Sequence, residues 1–448
     1  MTMLRFLFLS ILTLSLGLSQ PAPLTARLDH AAQAYNQHRK FIGTVLVAKG
    51  GSILFEKGYG MANLELDVPN SPATKFRLGS ITKQFTAAAV MQLQEKGALS
   101  VTDSACKYFD ECPERWKQIT IAQLLSHTSG IPSYTDDPEF AKPRMMRIPL
   151  TPREVLLLSK DKPLDFDPGT KWKYDNTGYI FLGVIVEKVS GEKYADYLQK
   201  HIFAPLGMKD SGYDNTHDIL KNRAAGYQPT PTGFANADYL DMSLPYAAGS
   251  LYSTTHDLLL WDRALYSDQV LSKASRDQMF TPVKNDYGYG LMLAPMLNRK
   301  HIGHGGGING FSTYLARFPD EDATVIVLSN NVAGNAQSVA MALAAELFGE
   351  KHDLPGERKE ITLDAKLLDR YVGSYQVGPL LVEVTSEDGH LMIHPKGQPK
   401  TEAFAASDTK FFLKIVDADI TFVLGADGKA SEMKLDQGGA HLAGKRLP

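Results

Sequence analysis

Ser80-Ile81-Thr82-Lys83 stands at the head of an alanine-rich apolar run, residues 85–96, that ends at Gly97. The run predicts a buried helix with a glycine just past its C-terminus. Ser80 and Lys83, three apart, then share one face of its first turn. A serine hydroxyl is a poor nucleophile until a nearby base takes its proton. A lysine at the positive end of a helix dipole, partly desolvated, has a lowered pKa and suits that role. Taken alone, the spacing also fits an N-cap serine followed by a solvated lysine. Two later segments tip the balance.

One is Trp172-Lys173-Tyr174-Asp175-Asn176-Thr177-Gly178-Tyr179. Tyr174 and Asn176, two apart on an extended segment, point the same way. A phenol beside a lysine can share its proton, and a carboxamide can hydrogen-bond a substrate amide. The four residues 175–178 are also rich in turn formers, and both readings hold together. The other is His301-Ile302-Gly303-His304-Gly305-Gly306-Gly307, where glycines let backbone approach a ligand closely.

In this order, S-x-x-K, Y-x-N and H-x-G resemble the motif set of the serine β-lactamase and penicillin-binding-protein superfamily. The combination is similar to its class C-like branch: class C β-lactamases, D-alanyl-D-alanine carboxypeptidases, D-aminopeptidases and carboxylesterases. Leu124-Leu125-Ser126-His127-Thr128-Ser129-Gly130-Ile131, Phe166-Asp167-Pro168-Gly169, Pro205-Leu206-Gly207-Met208 and Ala248-Gly249-Ser250-Leu251 fit the same branch. The resemblance spans residues 42–331. It implies Ser80 as nucleophile, with Lys83 and Tyr174 sharing the proton traffic and the base undecided between them. Tyr174 would also activate the deacylating water. The backbone N–H groups of Ser80 and Gly307 would form an oxyanion hole, with Gly306 beside them on the substrate-binding strand. Asn176 would orient the substrate amide.

His304 occupies the place where β-lactamases carry a lysine. An imidazole titrates near neutrality, so a carboxylate-bearing substrate should lose ground to an ester as pH rises through about 6.5. The resemblance is therefore closer to carboxypeptidases, D-aminopeptidases and esterases than to efficient β-lactamases. Asp175 replaces a small neutral residue and, if turned toward the site, disfavours anionic substrates. Thr128 and Ser129 are expected to shape the pocket without acting chemically.

The implied fold is α+β: an antiparallel sheet flanked by helices, with a helical subdomain and the site between them. The residues agree. Residues 43–48 and 53–58 read as a hairpin around Lys49-Gly50-Gly51, and 311–318 with 323–329 as another. Residues 29–40, 121–127, 152–160, 179–201 and 335–348 read as helices. A charged linker with Pro355-Gly356 covers 351–360. Beyond it, 380–384, 391–393, 410–413, 420–424 and 432–435 read as short strands of a small β-barrel over 361–448. The opening Tyr371-Val372-Gly373-Ser374-Tyr375 is similar to an accessory lipocalin-like domain found on some class C-like peptidases.

The first nineteen residues read differently. A positive start is followed by an apolar run, 6–18, that is short for a bilayer span, and Gly17 and Ser19 suit cleavage before Gln20. We read 1–19 as a signal peptide, 20–350 as the catalytic region, and the product as exported, periplasmic or secreted. No stable membrane insertion is expected after cleavage; an uncleaved anchor is the alternative. Cys106 and Cys112 are expected to form a local disulfide. They bring no further ligands, so no metal is expected, and no cofactor is called for. A formal net charge of -3 without a basic run argues against nucleic acid.

The expectation is a serine hydrolase forming an acyl-enzyme on Ser80, acting on D-amino-acid peptides or small esters, with weak β-lactamase activity. Its partner would be a small-molecule or peptide substrate; oligomeric state is left open. A penicillin-binding sensor, acylated without turnover, is the alternative. An α/β-hydrolase would need a G-x-S-x-G elbow, which is absent. A metal enzyme built on His301 and His304 would lack the H-E-x-x-H helix.

Overall fold

A computed structural model describes residues 22–447 apart from 141, 231, 358, 415–417 and 438–439. The signal-peptide reading, and the Gly438-Gly439 turn, lie outside the described residues. Helix α1 (Leu24–Arg39) leads into strand β1 (Gly43–Lys49), which turns into β2 (Ser52–Tyr59). The turn uses Gly50 and Gly51 at φ 57° and 76°, a region where glycine has no Cβ penalty. Much later, β3 (Ile302–Ile308), β4 (Phe311–Phe318) and β5 (Ala323–Ser329) complete one antiparallel sheet in the order β3-β4-β5-β1-β2.

Strand alternation sorts the sheet's side chains into two cores. Leu46, Ile326 and Leu328 pack with Phe85 and Val90 of α2 (Thr82–Glu95). This core continues into a helical region containing α3 (Ile121–Leu125) and α4 (Asn176–Ser190). On the other face Val45, Val47, Val325 and Val327 pack with Leu28 of α1 and with Val339 and Leu343 of α5 (Ala336–Phe348). Each such aliphatic side chain contributes about 1.5–3 kcal/mol when fully buried.

Helix ends explain the departures from expectation. Gly97 closes α2 in a Schellman arrangement: Ala98 N–H donates to Leu93 O (3.0 Å) and Gly97 N–H to Gln94 O (2.9 Å). The expected continuous helix over 179–201 is instead broken. Gly191 adopts φ 72° and caps α4, and a separate helix begins at Tyr194. The expected helix over 152–160 ends at Leu157 after a Thr151/Glu154 capping box starts it.

The C-terminal strands form a closed eight-stranded barrel: β6 (Gly373–Val377), β7 (Leu380–Glu387), β8 (His390–Pro395), β9 (Thr401–Ala405), β10 (Lys410–Leu413), β11 (Ala418–Leu424), β12 (Ala430–Gln437) and β13 (Ala440–Arg446). Tyr371, Tyr375, Phe411, Ile420, Phe422 and Met433 fill its interior. The sequence reading named no strand at β6, β9 or β13. Gly444 explains the miss at β13: a Cβ there would lie 1.9 Å from Gln376 O, so the strand that closes the barrel needs a glycine. Arg39 at the end of α1 donates to Leu413 O (3.0 Å) and holds the barrel edge.

Candidate active site

Ser80 sits in a tight 3-10 turn, Gly79–Ile81, that runs directly into α2. It therefore precedes the α-helix instead of lying in its first turn. Gly79 has φ 55°, and a Cβ on it would press on Gly307 at 3.0 Å. A side chain on Gly306 would strike Leu78 O at 1.9 Å. These glycines allow β3 to lie against the serine turn, and Thr313 Oγ1 pins the contact by donating to Leu78 O (2.7 Å). Gly307 faces open space: nothing lies within 4 Å of where its Cβ would be.

Lys83 is fully buried. Its Nζ lies 3.1 Å from Ser80 Oγ, 2.9 Å from Asn176 Oδ1 and 2.9 Å from Ala248 O. Burial lowers its pKa to about 7, against a smaller upward pull from Asp175. The Ala248 carbonyl is aimed by an unusual turn. Tyr246 takes φ 38°, which directs Ala247 O at Thr86 Oγ1 (2.6 Å) and Ala248 O at Lys83. Gly183 on α4 makes the room, since a Cβ there would lie 2.4 Å from the Tyr246 ring.

Tyr174 lies across the ammonium, whose Nζ is 4.7 Å from the ring centroid. Its hydroxyl is buried and makes no well-formed hydrogen bond, although Ser80 is close enough to act on it. Burial raises its pKa, so the phenol keeps its proton. Asp175 is extended (φ -137°, ψ 112°), but Asn176 already opens α4. Tyr174 and Asn176 thus converge on Lys83 from a loop end and a helix start, a departure from one extended segment. Asn176 Nδ2 donates to Thr135 Oγ1 (3.1 Å), which fixes the amide with its oxygen toward Lys83.

His304 is 3% exposed. Its Nε2 lies 2.9 Å from Tyr287 Oη and its Nδ1 2.5 Å from Gly305 O. Desolvation, and then the charge on Lys83, lower its pKa to about 3. The expected titration near neutrality is thereby corrected. The ring stands behind Tyr174, centroids 6.2 Å apart, and does not line the recess at Ser80. Gly306 is packed under Leu78 and is likewise not part of that lining. Asp175 also differs from the inward-facing case. Its carboxyl is buried, accepts from Ser129 Oγ (3.1 Å), and has its pKa raised by desolvation. Thr128 and Ser129 are buried beneath the site instead of shaping its mouth.

Cys106 and Cys112 are joined as a disulfide, away from the recess. A groove of about 710 Å³ lies near them between Glu111, Arg153 and Lys188; no serine, threonine or cysteine lines it. The recess at Ser80 is smaller, about 250 Å³. Tyr134, Phe140, Met146, Leu240, Pro245 and Ile308 form its apolar walls. Ser80, Thr135, Asn176 and Asn309 supply its polar side chains, and no described residue lining it is charged.

The structure thus brings Ser80, Lys83, Tyr174, Asn176 and Gly307 together. Sequence reasoning missed the Ala248 carbonyl, the walls Phe140, Met146 and Leu240, and the buried pair His127 and Tyr287. The alternation Tyr287-Gly288-Tyr289-Gly290 is the available signal for the last. Gly290 has φ 72°, and a Cβ on it would lie 2.6 Å from Lys83 O.

The profile of the Beta-lactamase family matches residues 28–350, and that of a domain of unknown function (DUF3471) matches 357–446. The chain belongs to the beta-lactamase family, and it is a serine hydrolase of that family. A penicillin-binding protein of Bacillus subtilis (strain 168) is 33% identical over 432 residues, 91% of this chain and 95% of that relative. The octameric penicillin-binding protein homologue from Pyrococcus abyssi superposes with a TM-score of 0.68 at 28% identity, covering 93% of this chain and 99% of its own. A D-stereospecific amidohydrolase from Streptomyces sp. superposes with a TM-score of 0.63 at 26% identity, covering 73% of this chain and 100% of its own. Among the described residues no helix is long and apolar enough to cross a membrane.

Proposed function

We propose that the chain is an exported hydrolase that forms an acyl-enzyme on Ser80 and cleaves D-amino-acid peptides or small esters. The observation that carries this reading is the environment of Lys83. Two of its three neighbours, Asn176 Oδ1 and Ala248 O, only accept hydrogen bonds. A neutral amine has two protons for them, which leaves its lone pair for the Ser80 hydroxyl at 3.1 Å. With its pKa lowered to about 7, Lys83 is the proton acceptor, and the Tyr174 phenol, held protonated by burial, is not.

The steps follow. Ser80 Oγ bonds to the substrate carbonyl carbon while its proton passes to Lys83 Nζ. The oxyanion forms between the N–H groups of Ser80 and Gly307. The bond to the leaving group breaks as the Lys83 ammonium returns the proton to it, and the Tyr174 hydroxyl steadies the departing atom. A water, deprotonated by Lys83 and guided by Tyr174, then splits the ester, giving a carboxylic acid and free Ser80.

The similarity to a D-stereospecific amidohydrolase suggests the probes. D-configured peptide amides and small uncharged esters should each acylate Ser80, read by intact mass, and turnover should exceed the first burst. Label that remains at one equivalent without product would refute the hydrolase reading. Export is supported by the N-terminal pattern and fits a disulfide at Cys106 and Cys112. Detection of the N-terminus of the exported protein by mass spectrometry tests it.

A further inference from the structure

The hydrogen bonds behind Tyr174 form a chain that can run in only one sense. The Asp175 backbone N–H donates to His127 Nδ1 (3.1 Å), so the His127 proton is on Nε2. That nitrogen is 3.2 Å from Tyr287 Oη, which accepts from it and has its own proton to give. The acceptor is His304 Nε2, 2.9 Å away. His304 must then carry its proton on Nδ1, where Gly305 O accepts it at 2.5 Å. A backbone N–H at one end and a carbonyl at the other exclude the reverse order. His127, Tyr287 and His304 are all buried.

A second proton on His304 would turn the Tyr287 hydroxyl away from it toward Tyr179, whose oxygen already accepts from the Gly290 N–H while its proton goes to Leu125 O. It would also place a cation near Lys83, whose charge already opposes it. The motif position that would otherwise present a cation therefore presents none. The recess in front has no charged lining either, and Lys83 is held by Ser80, Asn176 and Ala248 O. A carboxylate entering it would shed its water against apolar walls, with no cationic side chain in the lining to receive it.

We propose that Tyr287, acting with His127, is a specificity-determining residue: it holds His304 as a neutral imidazole with one proton, so the Ser80 recess selects uncharged carbonyl compounds bearing an apolar group and rejects the same compounds with a free carboxylate. The preferred substrates are peptide amides and esters, not peptides with a free C-terminal acid. The acid product is disfavoured in the same recess, which assists its release. Tyr287 is a positioning residue, since it acts through His304. The substrate preference rests on the reading of Ser80 as the acylated residue.

The test uses N-acetyl-D-phenylalanyl-D-alanine and its C-terminal amide, which differ only in the carboxylate. Each is scored by how well it protects Ser80 from an uncharged fluorophosphonate, read by intact mass on the full chain. The amide should protect at a concentration at least about tenfold lower, a difference of about 1.4 kcal/mol. Equal or better protection by the acid overturns the proposal. Failure of the probe itself to modify Ser80 overturns the acylation reading instead, and the relay is then decided by nitrogen-15 NMR of histidine-labelled protein. At pH 7 His127 should show the Nε2–H tautomer and His304 the Nδ1–H tautomer. A charged or Nε2–H His304 overturns the proposal whatever the kinetics. In Tyr287→Phe the amide-to-acid preference should fall at least about threefold with the His304 signal shifted; an unchanged preference and an unchanged signal would also overturn it.

Discussion

The two cores built from the main sheet and the core of the C-terminal barrel are assembled by different rules. Every buried polar or charged side chain among the described residues lies between Thr44 and Ser338, and none lies in the barrel. In the barrel the few polar atoms inside are phenols satisfied nearby, as when Tyr375 Oη donates to Tyr371 O (2.7 Å). In the catalytic region Lys83, His127, Asp175 and His304 are all buried within the same small volume. A buried polar group left without a partner costs about 1–3 kcal/mol, so such groups accumulate where something specific is made of them. Here that is a lysine with a lowered pKa beside a serine. The barrel interior is filled with apolar side chains.

This contrast can be broken experimentally. The largest effect is expected from Ser80→Ala: no covalent labelling, and hydrolysis down by more than about a thousandfold. A mutant that still gains probe mass would place the nucleophile elsewhere. Next comes Lys83→Met, which removes the base and should lower the acylation rate by about 10²–10⁴-fold in stopped-flow measurements. The same residue sets the pH profile. Below a pKa of about 7, Lys83 is protonated and cannot accept from Ser80, so kcat/KM should rise with pH and level off above that value. A profile that falls between pH 6 and 8 would exclude Lys83 as the base.

The barrel should respond in the opposite manner. Ile420→Ala opens a cavity in its core and should destabilise it by about 2–5 kcal/mol in denaturant titrations. The folded fraction should keep kcat/KM within about twofold. A clear kinetic loss would mean that the barrel reaches the site. The smallest effect is expected from ending the chain after Glu357, which keeps the buried Leu354 and cuts the Arg39 contact to Leu413 O. Ser80 labelling should be unchanged; its disappearance would merge the two regions into one functional unit.

The elements most legible in the sequence are those set by local chemistry. The two hairpins of the main sheet, around Gly50-Gly51 and Pro319-Asp320, appear where alternating β-branched runs meet turn residues. The helix after Ser80 follows from an alanine-rich run and Gly97. Less legible were elements whose rationale is a distant neighbour. Residues 440–446 form a strand because Gly444 lets the chain close against Gln376, and nothing in the segment itself announces that. The break at Gly191 shows the converse, a local glycine signal outweighed by a long apolar pattern in the reading.

At the site the same division holds. Ser80 and Lys83 are three residues apart, and the 3-10 turn that runs into the helix puts them on one face. Their pairing was therefore determined by the sequence. The protonation state of His304 was not. As a free imidazole it would titrate near neutrality. Its pKa is lowered because the fold removes water from it and places Lys83 nearby, and its hydrogen-bond partner Tyr287 arrives from a separate segment. Desolvation and hydrogen-bond direction depend on all the groups that surround an atom, and tertiary structure alone decides which groups those are.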